Sequence, residues 1–313
     1  MGGRLIDGEW TTKKTWEQGQ KGQFKRQESQ FRSRIDPEGA YPPEADRYHL
    51  YVSYACPWAH RTLMVRALMG LENVISVSVV HPLMTDEGWH FAPDDPTFPT
   101  PDQLYGEPFL RNLYLKADPQ CTGRVTVPVL WDQKTQAIVS NESKEIIRDM
   151  AIHFAPLGTI DADLYPEELR EVVDEAMDHF YQPINNGVYR CGFAGTQEAY
   201  EESLEEMFAA LDHWDEVLSQ QNYVAGEKLT IADLALYATL VRFDPVYYVH
   251  FKTCRKHIYE YPGLWRFVCA LYHHPRLRST LHMDHIKDHY FRSHPQLNPR
   301  GFVPPGPALD YSA

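Results

Sequence analysis

The strand-forming runs of this 313-residue chain all fall in one stretch, between Tyr48 and Ser140. Beyond Leu157 no such run recurs, and the helical patterns follow at 167–182, 197–220, 230–246 and 262–273. A chain divided in this way is expected to fold as an α+β domain followed by an all-α one, and its length is about that of two ordinary domains. The expected boundaries are an N-terminal arm over 1–45, a first domain over 46–155, a helical domain over 165–295 and a tail over 296–313. The arm is polar, with isolated aromatics (Trp10, Trp16, Phe24, Phe31) that would anchor it to the body. The tail, with its Pro and Gly residues, is expected to lie over the surface.

Composition narrows the function classes. Thirty Lys and Arg against 43 Asp and Glu leave a net charge of −13, which argues against non-specific nucleic-acid binding through phosphate neutralisation. A hydrophobic content of 43% can bury a sizeable core, so disorder is excluded as a description of the whole chain. No apolar run approaches the ~18 residues of a membrane span. The opening MGGRLIDGEW shows no hydrophobic region of a signal peptide, and Ile6 stands where a myristoylation signal wants Ser or Thr. The five cysteines (Cys56, Cys121, Cys191, Cys254, Cys269) are scattered, with no CxxC pair, as in proteins of reducing compartments. A cytoplasmic protein is expected.

Within the first domain, 48–53 reads as a strand and Pro57 as a helix start, with the helical pattern stopping at Gly70. The β-branched run 74–80 reads as a second, buried strand. Strand, helix, strand over so few residues is a βαβ unit, so the two strands should be parallel. The Pro- and Asp-rich stretch 82–108 is long for a loop inside a domain. A short helix over 110–116 precedes a strand at 125–131 interrupted by Pro128, which is tolerated there if its peptide bond is cis. A strand at 137–140 and a helix opening at 141–143 complete the order βαβαββα, which is the thioredoxin-like arrangement. In the second half, Thr230-Ile231-Ala232-Asp233 forms a capping-box variant.

The sharpest chemical feature is Tyr54-Ala55-Cys56-Pro57-Trp58-Ala59-His60, at the junction of first strand and first helix. A cysteine there faces the orphan N–H groups and positive dipole end of the helix, which favour the thiolate. Ala59 occupies the position where a second thiol would form an internal disulfide, so the chemistry would be monothiol, resolved by an external thiol. A buried inert cysteine is the competing reading, and it suits the other four. His285 and His289, at i,i+4, can put two imidazoles on one helix face and with His282 could bind a metal, but no HExxH or Cys/His framework accompanies them, so no metal site is expected.

Taken in order, Cys56-Pro57-Trp58-Ala59-His60, Gly88-Trp89-His90-Phe91, Val127-Pro128-Val129-Leu130-Trp131-Asp132, Ser140-Asn141-Glu142-Ser143, Asn186-Gly187-Val188-Tyr189, Val241-Arg242-Phe243-Asp244-Pro245-Val246-Tyr247 and Asp288-His289-Tyr290 resemble the glutathione transferases. Within that family they resemble the xi class, the glutathionyl-hydroquinone reductases. The resemblance implies the two-domain glutathione transferase fold, with Cys56 as the catalytic thiol. It implies that Val127 presents its backbone to the cysteinyl part of glutathione, that Glu142 and Ser143 hold the γ-glutamyl end, and that Trp89 and Arg124 frame the other side. A plain helix cap is the competing reading for Glu142 and Ser143. Tyr189, Tyr247 and Tyr290 would meet the aromatic substrate, although a buried tyrosine with a structural hydroxyl is commoner. Tyr248 and Phe291 are the rival neighbours of the last two.

The implied activity is glutathione-dependent reduction of glutathionyl-hydroquinones, with glutathione as co-substrate and no resident cofactor. A homodimer is implied as well. The alternatives are an omega-like thioltransferase or dehydroascorbate reductase using the same Cys56, and a non-catalytic glutathione-binding module.

Overall fold

The computed structural model describes residues 3–13 and 20–312, and Trp16 lies outside them. The chain forms two compact units. The first comprises residues 3–13, 27–162 and 280–293, and the second comprises 20–26, 163–279 and 294–312.

The first unit opens with an antiparallel hairpin, β1 (Arg4–Ile6) and β2 (Glu9–Thr11). Its sheet follows as β3 (Tyr48–Val52), α1 (Pro57–Leu68), β4 (Ile75–Val79), α2 (Leu110–Ala117), β5 (Val129–Asp132), β6 (Ala137–Ser140) and α3 (Ser143–His153). The strand order is β4-β3-β5-β6, with β3 parallel to β4 and antiparallel to β5. Every residue of β3 is buried, which is why this central strand reads as a continuous run of β-formers instead of alternating. At the sheet's end the Arg47 guanidinium grips the buried Asp132 carboxylate in two bonds of 2.9 and 2.6 Å.

The strand expected at 125–131 begins only at Val129. The Val127–Pro128 bond is cis, and residues 125–128 run outside the ladder because proline has no N–H to contribute. The long stretch 82–108 is organised around Asp102, whose carboxylate accepts the Tyr51 hydroxyl at 3.1 Å and the N–H groups of Leu104, Tyr105 and Glu107.

The arm is not one continuous appendage. Residues 29–33 of the first unit run beside β6, with Ser33 N–H on Val139 O and Asn141 N–H on Phe31 O, each within 3.0 Å. Trp10 donates to the Asp86 carbonyl and Phe31 meets Tyr114 edge-on at 5.7 Å. Residues 20–26 belong instead to the second unit, where Phe24 packs on Phe193.

The second unit holds α4 (Arg170–Phe180), α5 (Gly187–Gly192), α6 (Gln197–Gln220), α7 (Ile231–Arg242), α8 (Tyr248–His250), α9 (Pro262–His273) and α10 (Pro275–Arg278). The helices expected to run through 182 and 246 each give way to a π-helical turn, Tyr181–Asn185 and Phe243–Tyr247. Each turn contains a proline, Pro183 or Pro245, whose ring and missing N–H are incompatible with a regular α turn. Thr230 and Asp233 close the expected capping box on α7, with the buried Asp233 carboxylate accepting from Thr230 N–H at 2.7 Å. Burial pushes that carboxyl up to about 6. The tail reaches back within this unit, where Tyr311 stacks on Tyr272 at 3.7 Å.

One further helix, α11 (Met283–Arg292), falls inside the span 165–295 expected for the helical domain, yet it belongs to the first unit. The His60 ring bonds Thr280 Oγ1 at 2.9 Å, Tyr54 stacks on His282 at 3.7 Å, and Ser293 Oγ accepts the Met84 N–H at 2.9 Å.

Candidate active site

Cys56 is the N-cap of α1, in extended backbone conformation, with Pro57 filling the first helical position. Its carbonyl accepts the His60 N–H, so the cysteine closes the first helical turn while its side chain stays at the helix mouth. The thiol is half-buried and lies 3.6 Å from the Val127 carbonyl oxygen. As the N-cap, the cysteine sits at the helix end whose orphan N–H groups and dipole favour negative charge on sulfur. None of the five cysteines is in a disulfide. Burial pushes the Cys191 thiol up to about 12, and it raises Cys121 as well.

The segments expected to hold glutathione lie in the same unit. Val127 is buried, with its carbonyl turned to the thiol, and Arg124 is half-buried three residues before it. Glu142 caps α3 by accepting the Lys144 N–H at 3.1 Å, and its second oxygen accepts the Ser29 hydroxyl at 3.0 Å. The capping role is therefore real, and Ser143 follows as a buried first residue of that helix. The N-terminus of α3 carries the orphan N–H groups that make such an end an anion site.

Sequence reasoning missed the residue that joins these segments. The buried Tyr114 hydroxyl donates to Thr126 O at 2.9 Å, accepts Thr126 N–H at 3.2 Å, and accepts from Asn141 Nδ2 at 3.1 Å. One phenol thus ties the neighbour of Val127 to the neighbour of Glu142. The only available signal was a tyrosine on the short helix 110–116, which does not announce its partners.

Trp89 is buried and stacks on His289 of α11 at 5.0 Å, while His289 Nδ1 bonds Pro82 O at 2.8 Å. Tyr290, the next residue, is buried in the same unit as Cys56, as is Phe291. The histidines considered for metal have other uses: His282 stacks on Tyr54, His285 packs on Phe98 at 4.5 Å, and burial holds His285 down at about 4. Among the described residues no group of three His, Cys, Asp or Glu is arranged to hold a metal.

The second unit brings Tyr189 and Tyr247 together. Their ring centres are 6.2 Å apart, and both pack on Phe251, at 5.3 and 5.5 Å. Gly192 lies beneath that ring, where a Cβ would run into Phe251. Tyr247 closes the second π turn, and Tyr189 follows the first by one helical turn. Tyr248, the rival to Tyr247, is directed elsewhere and stacks on His257 at 3.6 Å. Asp244, in the same turn, accepts the Ile258 N–H at 2.8 Å and fixes the segment that follows α8.

Comparison with known proteins agrees with this geometry. Residues 55–151 match the family model for the glutathione S-transferase N-terminal domain, and 197–268 match that for the C-terminal domain. The chain is 49% identical to the glutathionyl-hydroquinone reductase YqjG of Escherichia coli K12, covering 98% of this chain and 96% of the relative. It is 46% identical to the glutathionyl-hydroquinone reductase PcpF of Sphingobium chlorophenolicum, over the same shares of both chains. Its structure matches a xi-class glutathione transferase from Natrialba magadii with a TM-score of 0.94 at 48% identity, covering 100% of this chain and 95% of the other. It also matches the glutathione-bound structure of YqjG with a TM-score of 0.89 at 46% identity, over 99% and 97% of the two chains. A cysteine-capped first helix on a β4-β3-β5-β6 sheet, these two domain matches and full-length similarity to xi-class members agree: the chain belongs to the glutathione S-transferase family, in its xi class.

Proposed function

We propose that this protein is a glutathionyl-hydroquinone reductase that works through Cys56. The observation that carries the reading is the placement of Cys56 as the N-cap of α1, with alanine at position 59, beside Val127. Such a site makes a thiolate nucleophile and lacks the second thiol of a dithiol enzyme. The glutathione-bound structure of YqjG supports glutathione as the thiol, and the names of YqjG and PcpF support the substrate class.

In this reading the Cys56 thiolate attacks the sulfur of a glutathionyl-hydroquinone. The S–S bond to Cys56 forms, the carbon–sulfur bond breaks, and its electron pair goes to the ring. An aryl carbanion would be a very poor leaving group. In the keto tautomer the ring carbon bearing sulfur carries a proton and stands beside a carbonyl, so the departing group is an enolate, which takes a proton on oxygen and becomes the hydroquinone. A second glutathione, as its thiolate, then attacks the mixed disulfide, releasing oxidised glutathione and restoring the Cys56 thiolate. The hydroquinone gains the two electrons that the two glutathiones lose.

Tyr189, Tyr247 and Tyr290 are the proposed donors to the enolate oxygen, whose charge develops as the bond breaks. Trp89, Arg124, Val127, Glu142 and Ser143 are the proposed glutathione contacts, the helix end of α3 taking the γ-glutamyl carboxylate and Glu142 the ammonium. The reading also includes a cytoplasmic homodimer.

The test is release of hydroquinone from glutathionyl-menadiol with added glutathione, for wild type and Cys56→Ser. Turnover lost in the variant supports the reading. No wild-type turnover, with a Cys56–glutathione adduct still seen by intact mass, would replace it with a thioltransferase acting on another acceptor. Neither turnover nor adduct would leave a binding module.

A further inference from the structure

We infer that Arg26, from the N-terminal arm, is a positioning residue that holds Tyr189 and makes its hydroxyl a stronger hydrogen-bond donor. The inference rests on the reading of Tyr189 as a donor to the departing enolate. Its structural basis lies wholly within the second unit.

The Arg26 guanidinium carbon lies 4.8 Å from the centre of the Tyr189 ring, within cation–π range. The same side chain donates from Nε to Asn186 Oδ1 at 2.9 Å, and Asn186 Nδ2 donates to Gln182 Oε1 at 3.2 Å. Asn186 is buried and follows the π turn directly, and its carbonyl accepts the Tyr189 N–H at 3.0 Å. Arg26 therefore touches both the ring of Tyr189 and the residue that starts the helix carrying it.

The arm is secured so that this contact is specific. Gly22, at φ +82°, gives its carbonyl to the Gly195 N–H at 2.8 Å, and a Cβ there would crowd the Thr196 side chain. Thr196 Oγ1 donates to Lys21 O at 3.0 Å, Gln23 Nε2 donates to Glu202 at 2.9 Å, and Phe24 packs on Phe193 at 5.6 Å. Phe193 in turn packs on Phe251, the ring shared by Tyr189 and Tyr247. Residues 20–26 are thus fastened at several points around one function-bearing ring.

A cation on the face of a phenol stabilises negative charge spreading into the ring, so the O–H gives more of its proton to an acceptor. That is the property an oxyanion donor needs as charge develops on the departing enolate. Lysine at 26 could keep the charge but not the planar Nε bond to Asn186, whereas glutamine could keep a hydrogen bond but not the charge.

The experiment uses the full-length protein with Arg26→Met, Arg26→Lys and Arg26→Gln, and reads two quantities. The first is kcat for glutathionyl-menadiol beside kcat for glutathione-dependent reduction of bis(2-hydroxyethyl) disulfide, which has no enolate to stabilise. The second is the titration of Tyr189, followed by NMR in protein carrying ring-labelled tyrosine and assigned with Tyr189→Phe. The expected result is a reductase kcat lowered about threefold to tenfold in Arg26→Met and Arg26→Gln, the span a cation–π contact supports. Lysine should restore part of it, and disulfide reduction should be unchanged. The Tyr189 midpoint should rise by about half a unit in Arg26→Met. Equal losses in both reactions, loss in the lysine variant as large as in methionine, or an unmoved Tyr189 midpoint would overturn the inference. If wild type releases no hydroquinone, the proposed function fails, and the Tyr189 titration alone then decides the case for Arg26.

Discussion

The Cys56 thiol stands 3.6 Å from the carbonyl oxygen of Val127, so the backbone edge expected to bind glutathione meets the sulfur expected to attack it. Its place as the N-cap of α1 separates Cys56 from the other thiols. Cys191 is buried and pushed up to about 12, and burial also raises Cys121. At pH 7.5, brief treatment with iodoacetamide should label Cys56 first and the exposed Cys254 more slowly, leaving Cys121 and Cys191 unmodified. Peptide mass spectrometry checks the order. Faster labelling of Cys254 than Cys56 would remove the case for an activated thiol.

Tyr247 and Tyr248 are adjacent in sequence but face different partners. Tyr247 packs with Tyr189 and Phe251, whereas Tyr248 stacks on His257. Tyr247→Phe should lower reductase kcat by roughly 10- to 100-fold, somewhat less than loss of a fully engaged oxyanion donor. Tyr248→Phe should stay within about twofold of wild type, since the half-buried Tyr248 ring keeps its stack on His257. Steady-state rates with glutathionyl-menadiol distinguish the two, and the reverse ranking would assign the site to Tyr248.

Some of this arrangement was legible in the sequence and some was not, for physical reasons. The β-branched runs and the Cys56-Pro57 junction carry local signals, and the sheet and first helix follow them closely. Helix α11 escaped because histidines occupy several of its inward positions. His285 and His289 are buried there through ring stacking and a bond to Pro82 O, so apolar periodicity was hidden. The π turns escaped because proline predicts an interruption without predicting its form. Tyr114 escaped because its importance lies in Thr126 and Asn141, which the fold brings together and spacing does not. The grouping of Arg26 with Tyr189 is likewise a contact between residues more than 160 positions apart.

His49 makes stability depend on pH. It sits fully buried in β3 between Ser76 Oγ at 2.7 Å and Ser78 Oγ at 2.9 Å, and burial lowers it to about 4. An unfolded chain takes up that proton near 6.5, so between pH 6.5 and 4 the unfolded state binds more protons than the folded one. The stabilisation is complete above pH 6.5 and is lost as pH falls toward 4, by at most about 3 kcal/mol for this side chain. His285, lowered to about 4 in the same way, adds to the slope. Urea unfolding at a series of pH values should show the decline, and His49→Gln should make it shallower. An unchanged slope in the variant would place the proton uptake elsewhere.

Tyr114 offers a test of how glutathione binding is organised. Its hydroxyl bonds both Thr126 and Asn141, next to Val127 and Glu142 respectively, and Asn141 Nδ2 also reaches Thr126 Oγ1 directly at 3.4 Å. In Tyr114→Phe the ring still packs against Phe31, but Thr126 N–H loses its acceptor, while Asn141 Nδ2 keeps Thr126 Oγ1 at 3.4 Å. Leaving a buried donor without its partner costs about 1–3 kcal/mol. If the bonds chiefly hold the two segments in the spacing glutathione needs, the loss falls on binding: KM for glutathione should rise by roughly 5- to 20-fold, as expected for about 1–2 kcal/mol. The rate at which saturating substrate forms the Cys56 mixed disulfide should change much less, because Cys56 is held by α1. Single-turnover kinetics with glutathionyl-menadiol, set beside the steady-state KM, separate these quantities. A fall in the single-turnover rate with KM unmoved would mean that Tyr114 acts on the chemistry at Cys56 and not on the spacing of Val127 and Glu142.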